Sequence, residues 1–341
     1  MKETAQQYLN SVRITGSTLL PGFGFCAVIA VAANYMAEHY GSPAILGALL
    51  LGMAFNSIAK YSEFAAGLDF CAKTVLRLGV ALLGVRLSFS QISALGIEPL
   101  MLVVSVVVGT MLFSLAIGKV LRVEVSMAIV SGASVAICGV SAAMAVASVL
   151  PQSKNFEQNL LCCLVSVTTL STLVMVVYPG MALYLGMTPE QIGLFLGSSI
   201  HDVAQVFGAG HIISDEVAEL ATYTKMLRVA MLVPVMLVLV VIFQYRAQSN
   251  VESIRRYRWL SVLPMFLVGF IALVVASNFK LLPADWVASM GDVSRICLLL
   301  SMAALGTKTN PVELFNVGKK PFLLVAVNTA FIATLSLIFL L

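Results

Sequence analysis

The chain has 341 residues, of which 60% are apolar and 11% charged, and its mean hydropathy is +1.00. A soluble domain averages roughly 45–50% apolar and about 25% charged, so a water-soluble enzyme, a disordered chain and a small disulfide scaffold are excluded. The net charge of +4 is scattered, with no basic stripe interleaved with aromatics, so nucleic acid is not an expected partner.

A helix needs about 20 apolar residues to cross a ~30 Å hydrocarbon core. Such segments fall near 18–37, 43–59, 70–87, 97–118, 125–150, 156–180, 190–210, 216–244, 259–279, 290–307 and 320–341. They predict an all-α polytopic membrane protein with about eleven transmembrane helices, in one integral membrane domain over 1–341. Ten-residue alternating patterns are absent, so a β-barrel is not expected. Lys2 and Arg13 precede the first apolar run, which reads as a retained helix rather than a cleaved signal peptide. The six cysteines lie in or beside apolar segments and form no C-x-x-C pair, so they read as small core residues. No metal site and no cofactor are expected.

Lys and Arg set the orientation. Arg246, Arg255, Arg256 and Arg258 crowd the loop after the eighth span, which is therefore cytoplasmic. Alternation then collects fourteen basic residues inside and leaves Arg86, Lys154, Lys280 and Arg295 outside. The N-terminus is expected in the cytoplasm and the C-terminus in the periplasm.

Segments 70–118 and 291–341 resemble one another at an offset of 222 residues. Gly84 falls on Gly306, Arg86 on Lys308, Gly96 on Gly318 and Pro99 on Pro321. The charge reading runs the two copies in opposite directions, which is an inverted repeat, a signature of secondary transporters.

Two apolar segments make poor helices. One is 131–141, with Ser131-Gly132-Ala133-Ser134 and Cys138-Gly139-Val140-Ser141; the other is 197–205, from Gly197-Ser198-Ser199 through His201-Asp202 to Gln205. Glycine costs roughly 1 kcal/mol in a helix interior, and serine competes for backbone groups. Both segments are expected to be interrupted helices, whose exposed amide ends favour anions. Ser134, Cys138, Gly139, Ser141, Ser198, Ser199, His201 and Gln205 are the candidate substrate-binding residues. Lys225 and Arg228, three apart in an apolar helix, add charge to that list; Asp202 would neutralise one and an anionic substrate the other. His201 and Asp202 are the candidate coupling residues, because ionisable groups within spans are costly and mark function. Asn56, Arg77 and Asn328 read as interhelical hydrogen bonds or interface anchors.

Leu76-Arg77-Leu78-Gly79-Val80-Ala81-Leu82-Leu83-Gly84-Val85-Arg86-Leu87-Ser88, together with the stretches 137–143, 197–206 and 302–306, resembles the sulfate exporter (YeiH-like) family of bacterial inner-membrane proteins. The resemblance covers nearly the whole chain. Asp202 stands where that family's pattern has Glu, and Val140 where it has a second Gly. The family is similar to the group of bile-acid symporters and cation/proton antiporters. That implies a core domain with two crossing interrupted helices moving against a panel domain, an inner-membrane location, and a homodimer through the panel. The leading expectation is a secondary transporter of a small anion, sulfate or an organic sulfonate, coupled to protons or sodium. No G-x-x-x-x-G-K-[ST] motif is present to take ATP. A cation/proton antiporter with Asp202 holding the cation is the alternative, followed by a non-transporting sensor or scaffold. Enzyme activity is not expected.

Overall fold

The computed structural model describes residues 2–40, 43–151, 156–246, 264–309 and 319–341. Among the described residues every regular element is a helix. In chain order the helices are α1 (Lys2–Tyr40), α2 (Ala44–Ala54), α3 (Ser62–Phe70), α4 (Leu76–Leu83), α5 (Phe89–Ala94), α6 (Glu98–Val120), α7 (Val125–Ala133), α8 (Val140–Ala147), α9 (Phe156–Tyr184), α10 (Pro189–Ser199), α11 (Val203–His211), α12 (Asp215–Ala230), α13 (Leu232–Arg246), α14 (Met265–Asn278), α15 (Ala284–Lys308) and α16 (Lys319–Leu340). Among the described residues six helices are long and apolar enough to cross a membrane. Shorter apolar helices cover Ala44–Ala54, Val125–Cys138 and Met265–Asn278. Helices satisfy their own backbone groups, which the bilayer core requires. The loop holding Arg255, Arg256 and Arg258, on which the orientation rests, lies outside the described residues, as do Lys154 and Gly318 of the charge and repeat readings.

The helices form two bundles. In the first, Gly52 lies against Ala303–Thr307 and Asn56 reaches Thr307 and Thr309, so α2 and α15 run in the same direction. Gly269 faces Ala81, and Ser277 and Asn278 reach Val85 and Leu87, so α14 runs with α4. Gly79 faces Ser294–Leu298 while Arg86 lies on Gly291, so α4 and α15 are antiparallel. Small residues allow these backbone approaches, the usual means of helix association in lipid.

Several contacts exchange under the 222-residue offset. Asn56 Nδ2 donates to the carbonyl of Thr309 at 3.2 Å, and Asn278 Nδ2 donates to that of Leu87 at 2.8 Å. Asn56 and Asn278 are 222 apart, as are Leu87 and Thr309. Gly109 packs on Leu335, and Phe113 stacks on Phe331 with ring centroids 3.8 Å apart; these pairs also interchange. The asparagines are thus interhelical hydrogen-bonding residues, as is Asn328, which donates to Ser114 and Ser131.

The second bundle holds α6, α9, α12, α16 and the two interrupted segments. The first interruption falls at Gly139, whose φ of +64° suits glycine, after a π-helical turn over Ser134–Cys138. The chain then reverses. Ser126, at the start of α7, donates to the carbonyl of Pro151 just beyond α8. The second interruption is the extended stretch Ile200–Asp202, and it reverses too. Along α10, Gly193 lies on Leu220 and Gly197 on Ala221 and Thr224; along α11, Gly210 returns to Val217 and Ala218. Both segments are therefore re-entrant hairpins. The sequence reading of 125–150 and 190–210 as full spans is corrected, and so is the pair of crossing helices that the resemblance implies. Each hairpin has the apolar length of a span, and composition does not reveal a turn-back.

The hairpins enter from opposite faces. Gly118 and Ser114 of α6 meet α7 in antiparallel order, and α6 is antiparallel to α16, so α7 runs with α16. Gln191, Ser198 and His201 meet Leu340, Ser336 and Thr329 in turn, so α10 runs against α16. The first arms are antiparallel, where the span count made them parallel.

The bundles meet mainly along α11. Gly208 is wedged beside Ile45 of α2 and Met302 of α15, and Arg86 pairs with Glu219 of α12 at 3.6 Å. A methyl group at Gly306 would overlap the carbonyl of Leu49, a backbone atom that cannot rotate away. Gly306→Leu is expected to destabilise the protein by more than the ~1–3 kcal/mol typical of overpacking, read as a lower melting temperature in detergent.

Candidate functional site

The site is built where the two tips meet. The first arm of each hairpin ends there with unpaired carbonyls and the negative end of its helix dipole. Lys225 and Arg228 of α12 fill that space, and both are 0% exposed. Lys225 Nζ donates to the carbonyls of Ile137 at 2.6 Å and Ile200 at 2.9 Å. Arg228 donates through Nε to Ala136 at 2.9 Å and through Nη2 to Val135 at 2.6 Å. Its Nη1 donates to Gly197 at 3.1 Å and Ile200 at 2.8 Å. One lysine and one arginine thus join both hairpins to one helix. Asp202 acts on Lys225 through its charge without forming an ion pair with it. No carboxylate lies within ion-pair reach of either among the described residues, and their hydrogen bonds go to backbone carbonyls. The bare charge remains, and in a low-dielectric site it acts over several ångströms.

The second arms start at the same place, with their amide ends. The N-cap of α8 is Gly139, which supplies no side-chain hydrogen bond, and the side chain that reaches the first turn is the Cys138 thiol, at the Ala142 amide. Val140 is 41% exposed and Ser141 is exposed, so this end opens to the surface of the bundle. The α11 end differs. Asp202 is its N-cap and accepts from the Ala204 amide at 2.9 Å. The substituted Val140 occupies the first position of α8, and the reversal is made at Gly139 alone.

His201 is fully buried beside Gly139, its Cβ 3.9 Å from where a glycine side chain would begin. Its Nε2 lies 2.9 Å from Thr329 Oγ1. The Thr329 hydroxyl donates to the Val325 carbonyl at 2.8 Å, so a neutral His201 carries its proton on Nε2 and donates it to Thr329. Nδ1 is then a buried acceptor with no partner. Gln205 Nε2 donates to Thr172 Oγ1 at 2.8 Å, and its Oε1 is also without a donor.

The remaining candidates are distributed unevenly. Cys138 and Gly139 form the first tip and Ser141 starts its return arm. Ser134 is one turn earlier and donates to the Ser131 carbonyl at 2.8 Å. Ser199 donates to Phe195, and Ser198 to Phe195 and Ser336. These three hydroxyls donate within the bundle. Sequence reasoning missed Ser171, Thr172 and Thr329, which position the tip from α9 and α16. A hydroxyl in an apolar helix gives little signal. No group of three or more His, Cys, Asp or Glu among the described residues could hold a metal ion, and all six cysteines are free.

The fold and this centre define a multi-pass membrane protein whose polar residues converge on two opposed hairpin tips. The chain belongs to the UPF0324 membrane protein family: the family model described as "Conserved hypothetical protein 698" matches residues 21–325. It is 44% identical over 314 residues to the UPF0324 membrane protein TauZ of Paracoccus denitrificans, covering 92% of each chain. It is 41% identical over 330 residues to the UPF0324 membrane protein CT0845 of Chlorobaculum tepidum, covering 96% of this chain and 91% of that one. A further relative, RB0971 of Rhizobium meliloti, is 41% identical over 323 residues, 95% of this chain and 93% of that one. No solved structure matches.

Arg228→Met would leave the carbonyls of Val135, Ala136 and Gly197 buried without these donors. Removing one partner of a buried charged network costs about 3–5 kcal/mol. Little folded Arg228→Met protein is expected by size-exclusion chromatography, and more for Arg228→Lys, which keeps the charge.

Proposed function

We propose that this protein is a secondary-active transporter of a small anion, of the sulfate or organic sulfonate class, driven by a proton or sodium gradient. The observation that carries this reading is the open amide end of α8, headed by a glycine and with no acidic cap, in the same cluster as two buried cations whose donors hold carbonyls. A helix N-terminus carries roughly half a positive charge, and secondary transporters place such ends at substrate anions. The Val140 and Ser141 amides and the Ser141 hydroxyl would contact the anion, and His201 would donate to it from Nδ1 once a second proton is bound there. Lys225 and Arg228 would act on it through their field rather than by direct hydrogen bonds. His201 or Asp202 would carry the coupling ion.

The reciprocal contacts of Asn56 with Thr309 and Asn278 with Leu87 support an inverted repeat pairing α2 with α14, α4 with α15, and α6 with α16. Two bundles that touch chiefly along α11 suit alternating access by movement of the hairpin bundle against the other. We place the N-terminus in the cytoplasm and the C-terminus in the periplasm of a bacterial inner membrane. Two hairpins that each return to their own face leave that parity unchanged. A homodimer through the first bundle belongs to the same reading. Asp202, a half-buried carboxylate with no ion pair, also favours the second reading, a cation/proton antiporter.

Purified protein in liposomes is expected to accumulate labelled sulfate or methanesulfonate under an imposed proton or sodium gradient. Flux of neither anion under any gradient sinks the proposal. His201→Ala is expected to reduce initial uptake about tenfold or more, a loss of ~1.4 kcal/mol or greater. Ser134→Ala, which removes a hydroxyl bonded to its own helix, is expected to stay within about twofold, since surplus intrahelical bonds contribute little.

A further inference from the structure

The unpartnered atoms at the second tip are hydrogen-bond acceptors, which an anion does not satisfy. Gln205 is 2% exposed. Its amide orientation is fixed, because Thr172 Oγ1 donates to the Thr168 carbonyl at 3.1 Å and so accepts from Gln205 Nε2. Oε1 is left buried with no donor. Three residues earlier, at the head of the same helix, stands the Asp202 carboxylate. Its oxygens accept the Ala204 amide and face that of Gln205, and among the described residues no Lys, Arg or His lies within ion-pair distance, Lys225 acting on it only from further away. The two cations that could have neutralised it hold the first-arm carbonyls instead. Both residues abut α9 at adjacent hydroxyls. The Asp202 amide donates to Ser171 Oγ at 3.3 Å, and Gln205 meets Thr172.

A carboxylate within a span costs ~2.5–3.5 kcal/mol on insertion scales and calls for a counter-charge. A carboxylate, an amide oxygen and two hydroxyls are hard, oxygen-only donors with a single formal charge. That set suits a monovalent cation; divalent calcium usually draws on several carboxylates. We propose that the tip of the second hairpin, against α9, is a sodium site formed by Asp202, Gln205 Oε1 and the hydroxyls of Ser171 and Thr172. The site deepens the function proposed above, and only its coupling to anion transport rests on that reading. Sodium there offsets the carboxylate that would otherwise repel an anion at the neighbouring tip. Each ion then strengthens the binding of the other by the same factor.

The test is direct binding of labelled sodium to the purified full chain at one pH, with chloride held constant by choline chloride. Saturable binding, and a higher melting temperature in sodium than in potassium or choline, are expected for the unaltered protein. Asp202→Asn and Gln205→Met are expected to weaken sodium about tenfold or more, the order seen when a ligand or its support is removed. Gln205→Glu, which keeps an acceptor oxygen, is expected to retain binding. Folding of each variant is checked in choline chloride, where sodium contributes nothing; if Asp202→Asn does not fold, Gln205→Met decides. Equal stability in sodium, potassium and choline overturns the site, as does unchanged sodium affinity in the folded variants. Sodium binding without any sulfate or methanesulfonate binding keeps this site and removes only the anion reading.

Discussion

Two side chains hold the centre of this protein together. A re-entrant hairpin places the C-terminal carbonyls of its first arm in the middle of the bilayer, where no water can receive them. Two such hairpins facing each other double the problem, because their negative ends converge. Lys225 and Arg228 answer both ends at once from a single helix. A buried cation without a partner and a buried carbonyl without a donor are each costly. Together they form a hydrogen-bonded knot that satisfies the carbonyls and keeps its positive charge. The return arm at α8 is then left with no acidic cap on its positive end, so the same arrangement that stabilises the tips leaves positive charge beside it, whereas α11 is capped by Asp202.

Much of the class was legible in the sequence. Composition placed the chain in a membrane, and glycine and serine located both interruptions. The scarcity of charge singled out His201, Asp202, Lys225 and Arg228, and the structure gathers all four at one place. The turn-backs were not legible. A hairpin of two short apolar arms and a spanning helix have the same length and hydropathy, and only the contact of Ser126 with Pro151, or of Gly210 with Ala218, tells them apart. The partners of Lys225 and Arg228 were hidden for a different reason. Those partners are backbone carbonyls, which every residue has and no sequence pattern marks. Ser134, Ser198 and Ser199 illustrate the opposite case, since serine within a helix often bonds to its own preceding turn.

The two hairpins differ in what their return arms offer. At α8 the cap is a glycine and the end is open; at α11 it is an aspartate that occupies the amides and adds negative charge. An otherwise matched pair of tips therefore differs in charge, with a glycine at the head of one return arm and a carboxylate at the head of the other. Thr329 and Thr172 fix the donor and acceptor pattern of the side chains between them.

The exchanged asparagines bear on how the chain is made. The helix end at Val85–Leu87 is finished by Ser277 and Asn278, which lie 192 and 191 residues further on. At about 5–20 residues per second, a ribosome takes roughly 10–40 s to cover that distance. Throughout that interval the carbonyls of the early helix lack their final donors. The N-terminal half inserted on its own is therefore an unfinished object, and the first bundle closes only once the late helices have entered the membrane.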